Sequence, residues 1–103
     1  MSIDILQYNE VMIKSFQHKG LKLLYEDDDH RKVNAEHVKR LKQILFVLNM
    51  ADRVEDMKQP TFRLHPLQGN LYGFWAVTVR ANWRVIFRFA DGDAYDVDLL
   101  DYH

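Results

Sequence analysis

A change in hydrophobic periodicity at Pro60 is the feature that most constrains the fold of this chain. Before it, apolar residues recur at three- and four-residue intervals, most clearly at Val38, Leu41, Leu45 and Leu48, which is the spacing of an amphipathic helix. After it, apolar and polar residues alternate, as they do in strands that bury one face. Helices followed by strands predict an α+β domain, with two N-terminal helices packed on a mainly antiparallel sheet.

Both helices are predicted from apolar spacing and from their end signals. The first covers about residues 18–25, and the acidic run 26–29 is expected to end it as a solvated loop, because anions are unfavourable at a helix C-terminus. The second begins at the N-cap candidate Asn34 and runs to about Ala51. Its polar face carries three basic residues and is interpreted as solvent-facing: Lys39, Arg40 and Lys42.

The alternating segments predict a β-meander. Ala81-Asn82 and Asp91-Gly92 are predicted turns, the second with an Asp-Gly hairpin signal. The strand over 72–80 is expected to be central, because it is apolar on both faces, with helices over one face and a partly wet concavity over the other. The last strand is expected to bury Tyr95, Val97 and Leu99 together and to expose Asp96 and Asp98. The predicted strands are 13–16, 62–64, 72–80, 84–89 and 94–100.

A length of 103 residues provides for one domain. That domain is expected over residues 12–103, with residues 1–11 as an N-terminal extension. Cysteine is absent, which excludes disulfides, thiolate zinc sites and a cysteine nucleophile. The sequence shows neither a secretory signal nor an apolar run long enough to span a bilayer, so a cytoplasmic protein without a membrane partner is expected.

The charge distribution is more informative than the formal net charge of −1. Between residues 61 and 90 the only formal charges are four arginines, whereas acidic residues gather at 26–29 and 91–101. His65 is the only other group of this segment that titrates near neutrality. The four arginines are therefore candidates for binding the phosphates of RNA: Arg63, Arg80, Arg84 and Arg88.

The candidate catalytic residues fit acid–base chemistry. Glycine-rich phosphate loops, nucleophile elbows and His-Glu-x-x-His motifs are missing from the sequence. His65 and the chain end, Asp101, Tyr102 and His103, provide groups that can move protons, and Arg84 can stabilise phosphate charge. Such a set is sufficient for cleavage of an RNA phosphodiester, so neither a metal nor another cofactor is expected.

Several candidates also have a purely structural interpretation. Arg84 and Arg88 face the same way as Asp96 and Asp98 on the predicted neighbouring strand, so ion pairs across the sheet would explain them. A histidine before a proline, as at His65, is typical of a surface turn. The two tryptophans fit a core better than a base-stacking platform.

Several stretches resemble the HigB toxins of the RelE superfamily. They are 12–16 (MIKSF), 18–24 (HKGLKLL), 64–67 (LHPL), 79–84 (VRANWR) and 92–95 (GDAY), with Asp-Tyr-His at residues 101–103. The resemblance covers residues 12–103, and its motifs follow one another at familiar spacings. It implies a RelE-like fold, cleavage of mRNA in the A site of the 70S ribosome, and inhibition by a HigA-like helix-turn-helix antitoxin, through which the complex would contact operator DNA.

The resemblance also implies individual roles. The histidine of the family's His-Pro-Leu motif falls on His65, the arginine after Asn-Trp falls on Arg84, and the catalytic chain end falls on residues 101–103. In the family a lysine commonly follows His-Pro-Leu, but Gln68 stands here and cannot supply that charge, so we expect a slower cut or a greater reliance on Arg84. Two alternatives stay open: a ParE-like toxin that inhibits gyrase, although that branch generally lacks the terminal histidine, and an inactive RNA- or protein-binding module.

Overall fold

The computed structural model describes residues 13–102. The predicted extension 1–11 and the terminal His103 therefore lie outside the described residues. Short 3-10 turns occur at Ala35–His37, Val54–Met57 and Gly69–Leu71. The main elements are α1 (Lys19–Asp27), α2 (Val38–Met50), β1 (His65–Pro66), β2 (Trp75–Arg80), β3 (Trp83–Ala90) and β4 (Asp93–Asp101).

The four strands form an antiparallel sheet in the order β1-β2-β3-β4. Tight turns at the two predicted positions join the last three strands. In the second turn, Asp91 and Gly92 both have positive φ, 53° and 84°, which matches the right-handed twist of the strands that they connect. The two helices and this sheet confirm the predicted α+β class.

Residues 13–17 run parallel to β4 along its outer edge. The N–H of Lys14 donates to the carbonyl of Ala94 over 2.7 Å, and the N–H of Gln17 donates to the carbonyl of Val97 over 2.8 Å. The predicted strand over 13–16 is thus reduced to two isolated bridges, Ile13 with Ala94 and Phe16 with Val97. This contact covers part of an otherwise open sheet edge.

The helix ends follow local side-chain chemistry. The N–H of Leu21 donates to Nδ1 of His18 over 3.1 Å at the start of α1. This helix ends at Asp27, two residues later than predicted, and Asp28 follows it in the left-handed conformation. Asn34 caps the next segment as predicted, because its Oδ1 accepts the N–H of Glu36 over 2.8 Å. No helix within residues 13–102 has the length and apolarity needed to cross a membrane.

The sheet carries apolar side chains on both faces. The main core lies between the helices and one face, and it contains Leu21, Leu41 and Phe87, each fully buried. The opposite face, termed the open face, carries a smaller cluster without residues of α1 or α2, formed by Leu67, Ala76 and Ile86 with Leu71, Phe74 and Leu100 packed against it. This arrangement agrees with the expectation that β2 is central.

Three strand predictions are corrected. The predicted strand over 62–64 is wrong: Arg63 has a φ of 54°, which breaks the extended backbone, and β1 begins at His65. Residues 72–74 belong to a turn, so β2 begins at Trp75. Tyr95 is half-buried opposite Arg88 instead of lying in the main core, because a bulge at Asp96, with a φ of 54°, shifts the register of β4.

Arg40 contradicts the interpretation of the polar face of α2 as solvent-facing. Its guanidinium donates to the carbonyls of Thr61 and Thr78 over 2.8 and 2.9 Å. It also lies over the ring of Phe62, 4.9 Å from the centroid. Arg40 therefore joins α2 to β2 and to the segment that leads into β1.

Candidate active site

Cross-strand pairing arranges the side chains of the open face in rows. The row through the middle of β2 contains His65, Ala76, Ile86 and Asp98, which are successive partners across the sheet. The neighbouring row contains Thr78, Arg84 and Leu100. His65 and Arg84 thus belong to adjacent rows on one face, which is the arrangement that the alternation of the sequence predicted.

The imidazole of His65 is oriented by the chain that precedes it. Its Nδ1 lies 2.9 Å from the carbonyl oxygen of Arg63. Because a carbonyl can only accept a hydrogen bond, Nδ1 carries a proton, and Nε2 is the nitrogen left for proton exchange with a substrate. The left-handed backbone of Arg63 accompanies this contact, and the proline after His65 is tolerated because β1 is an edge strand.

The side chain of Arg84 is held at the turn between β2 and β3. Its Nη1 donates to the carbonyls of Ala81 and Trp83 over 2.6 and 3.2 Å. Within residues 13–102, the buried side-chain polar atoms without a hydrogen-bond partner are Nε of Arg84 and Oγ1 of Thr78, which belong to paired residues. Leaving such groups unsatisfied costs about 1–3 kcal/mol each, and both atoms are shielded from solvent by their neighbours.

The other two sheet arginines are ion-paired. Arg80 lies 3.1 Å from a carboxylate oxygen of Glu36, at the start of the α2 region. Nε of Arg88 lies 3.5 Å from Asp96, so the ion-pair interpretation of Arg88 is confirmed. Since exposed pairs of this kind contribute little free energy, a phosphate can replace these carboxylates without a large loss.

The chain end meets the same turn as Arg84. Asp101 pairs with Trp83, and the N–H of Tyr102 donates to the carbonyl of Asn82 over 2.7 Å. The side chain of Tyr102 is 45% exposed and is available to a ligand. The fold therefore brings Arg84, Asp101 and Tyr102 to one end of the sheet, and His103 follows beyond the described residues.

His65 is separated from this chain end. It lies on β1, whereas Asp101 ends β4, and these are the two edges of the sheet. Three strand spacings correspond to about 14 Å between the two edge strands, and Asp101 also lies three residues, about 10 Å, further along β4 than Asp98, which is in the row of His65. A substrate that contacts both must span the open face, with Arg84 between them.

Two further residues contribute to this region, although the sequence suggested no role for either. Thr78, within the predicted strand 72–80, lies beside Arg84, and the backbone carbonyl of Asn82, within a predicted turn, accepts the N–H of Tyr102. Alternation places Thr78 on the same face as Ala76, but whether its hydroxyl has a hydrogen-bond partner depends on packing in three dimensions. Residues 13–102 contain no group of three or more His, Cys, Asp or Glu that could hold a metal ion.

Known proteins are similar in sequence to this chain over most of its length. The model of the HigB-like toxins, described as the RelE-like toxin of the type II toxin–antitoxin system HigB, matches residues 14–103. The chain belongs to the HigB-like toxin family. The resemblance inferred from the sequence motifs is thereby confirmed.

Two relatives of this toxin extend the comparison. It is 46% identical over 92 residues to Endoribonuclease HigB of Proteus vulgaris, and the alignment covers 89% of this chain and 100% of that protein. It is 34% identical over 94 residues to Toxin HigB-1 of Vibrio cholerae serotype O1, covering 89% of this chain and 98% of that protein. Both alignments span nearly the whole of each relative, so the similarity concerns the complete toxin domain.

Proposed function

We propose that this toxin is a ribosome-dependent endoribonuclease that cuts translated mRNA in the ribosomal A site by metal-free acid–base chemistry. The observation that carries the proposal is the fixed orientation of His65 on the same sheet face as Arg84. The relative from Proteus vulgaris is an endoribonuclease by name. The proposed inhibitor is a HigA-like helix-turn-helix antitoxin, which would also connect the complex to operator DNA.

In the proposed reaction His65 and His103 share the two proton transfers. One takes the proton of the ribose 2′-hydroxyl, whose oxygen attacks phosphorus, and the other protonates the 5′-oxygen that leaves. The bond formed closes a cyclic phosphate, and the bond broken frees a 5′-hydroxyl end. Arg84 stabilises the charge on the phosphate, while Asp101 and Tyr102 orient the site.

The ribosome is proposed to position the RNA because the toxin itself provides little attraction for it. The formal net charge is −1, and both Arg80 and Arg88 already face carboxylates. Gln68 adds no charge beside His65.

Cleavage of one mRNA, measured free and on programmed ribosomes, tests the proposal. We expect discrete cuts in the A-site codon on ribosomes and barely detectable cutting of the free RNA. EDTA followed by return of the Mg²⁺ that ribosomes need should leave activity unchanged, whereas a requirement for a further metal would contradict the metal-free step. Robust cutting of free RNA would contradict ribosome dependence, and inhibition of gyrase without any RNA cleavage would favour the ParE-like alternative.

A further inference from the structure

A shallow pocket lies at the end of β1, and its lining begins at Pro66, the residue after His65. The connection between β1 and β2 encloses about 190 Å³, lined by residues 66–68 and 72–75. This is small compared with the roughly 300–1,000 Å³ of typical ligand pockets. The pocket suits a single planar ring system better than a whole cofactor.

Tyr72 lies at the rim of this pocket and is 75% exposed. Its backbone is fixed, because its N–H donates to the carbonyl of Gly69 over 3.0 Å and the N–H of Phe74 donates to the carbonyl of Leu71 over 3.0 Å. The ordered turn therefore fixes the point at which the Tyr72 side chain leaves the backbone, and the ring is exposed to solvent. Such a ring offers a surface for stacking.

Phe74 and Arg88 extend this surface across the open face. The Arg88 guanidinium lies over the Phe74 ring, 4.9 Å from its centroid. Gly73 has a φ of 100° and no side chain. A Cβ at this position would lie 3.9 Å from Nη1 of Arg88, so glycine leaves the space beside that guanidinium open. An aromatic platform thus stands next to a cation, the combination that binds single-stranded RNA by stacking on bases and attraction of phosphates.

We propose that this pocket binds one nucleobase of the RNA substrate, with Tyr72 stacking on the base and Arg88 contacting the adjoining phosphate. The inference rests on the proposed function, because it needs an RNA to be cut at His65. His65 and the pocket residue Leu67 are two residues apart, which is about 6.6 Å along a strand. The bound base therefore belongs to a nucleotide close to the cleaved bond, and Tyr72 is a residue that positions the substrate.

A double-mutant cycle between Tyr72 and the RNA tests this assignment. Short mRNAs with one abasic nucleotide at each position in and around the codon are cut by the parent, Tyr72→Phe and Tyr72→Ala, under whichever condition the parent cuts. We expect Tyr72→Ala to lower kcat/KM by roughly 5- to 150-fold, the effect of losing one base–aromatic stack, mainly through KM. Tyr72→Phe should retain the activity of the parent, because it keeps the ring.

The deciding result is the coupling between the two changes. At one RNA position, removal of the base should reduce cleavage by the parent and have little further effect on Tyr72→Ala. Additive effects at every position would overturn the proposal. Additive effects are also the result expected if Tyr72 stacks on a base of ribosomal RNA and not on the mRNA. Phe46→Ala, which removes a ring that is 67% exposed on α2, is the matched control and should cut as the parent does. Failure of the proposed function is recognised separately, because the parent itself would then leave every RNA intact.

Discussion

At the scale of single residues, His65 shows how a neighbouring backbone group defines a chemical role. The carbonyl of Arg63 places the proton of the neutral ring on Nδ1, so that Nε2 is the nitrogen that remains for proton exchange. The sequence identified the histidine and its motif, but it gave no sign that Arg63 adopts the left-handed backbone. Arginine seldom adopts that conformation, so the residue type at this position does not indicate it.

We predict that His65→Ala and His103→Ala each lower ribosome-dependent cleavage by about 10²- to 10⁴-fold, the usual contribution of general acid–base catalysis. His65 is at the sheet edge and outside both core clusters, so the thermal melt should change little. His30→Ala, in an exposed loop after α1, provides the control and should keep full activity. A folded His103→Ala toxin that cuts as fast as the parent would remove the terminal histidine from the mechanism.

Arg40 is the residue at which sequence analysis failed most clearly. Helical spacing placed it on the polar face, and only the fold reveals the carbonyls of Thr61 and Thr78 within its reach. We predict that Arg40→Ala lowers the free energy of unfolding by about 1.5–3 kcal/mol, the range for hydrogen bonds to a charged group. Urea unfolding measures this, and the exposed neighbour variant Lys39→Ala should stay within about 0.5 kcal/mol of the parent. Equal stabilities for the two variants would contradict the structural role of Arg40.

At the scale of elements, regular periodicity was predictable and its interruptions were not. The spacing of Val38 to Leu48 and the cap at Asn34 located α2, because amphipathic spacing and capping are both local signals. The alternation through β4 failed at Tyr95, because the bulge at Asp96 inserts an extra residue there. The bulge places the side chain of Tyr95 on the open face. A single extra residue produces no repeating pattern, so the sequence does not reveal it.

The backbone at this bulge can be tested with paired substitutions. Asp96 has a φ of 54°, where alanine is strained by about 1–2 kcal/mol and glycine is not. We predict that Asp96→Gly unfolds with a free energy about 1 kcal/mol higher than Asp96→Ala, although both lose the same side-chain contacts. Asp98 lies on the same strand and has no positive φ. There we expect the alanine variant to have the higher free energy of unfolding, by about 0.5–1 kcal/mol. Alanine as the more stable residue at both positions would exclude strain at the bulge.

The 3-10 turn Val54–Met57 gives the molecule a component of stability that depends on pH. The carboxylate of Asp56 accepts the backbone N–H of Asp52 over 2.9 Å and that of Arg53 over 3.2 Å, and these bonds hold the pKa of Asp56 below its ordinary value of 3.8. Because the pKa of Asp56 is lower in the folded protein than in the unfolded chain, its ionised carboxylate stabilises the fold at pH values above the unfolded-state pKa. This stabilisation is lost as the pH falls through the folded-state pKa. We predict that Asp56→Asn reduces the difference between the urea midpoints at pH 7 and pH 3. An unchanged difference would contradict this contribution.

At the scale of the whole molecule, the sequence predicted which groups share the open face but not how far apart they lie. The meander order follows from short connections, and alternation then places His65, Arg84 and Arg88 on one side of the sheet. The separation of His65 from the chain end depends on the register of all the strands together. The catalytic candidates therefore form an extended surface and not a compact pocket.

An extended surface with few free cations should bind single-stranded RNA weakly and with a shallow dependence on salt. Four arginines in residues 61–90 set a limit of about −3 for the slope of log K against log salt, at about −0.7 for each phosphate contact. We predict that Asp96→Asn, which releases Arg88 and keeps a residue type that tolerates positive φ, raises affinity for free RNA and steepens the slope by about 0.7.

Asp28→Asn is the matched control, since Asp28 also has positive φ, at 55°, and also holds a cation, Lys42. It changes the net charge equally but releases a lysine of the helix layer, so titration of a fluorescent RNA at several salt concentrations should leave its slope at the value of the parent. Equal increases for both variants would mean that net charge, and not the open face, governs binding.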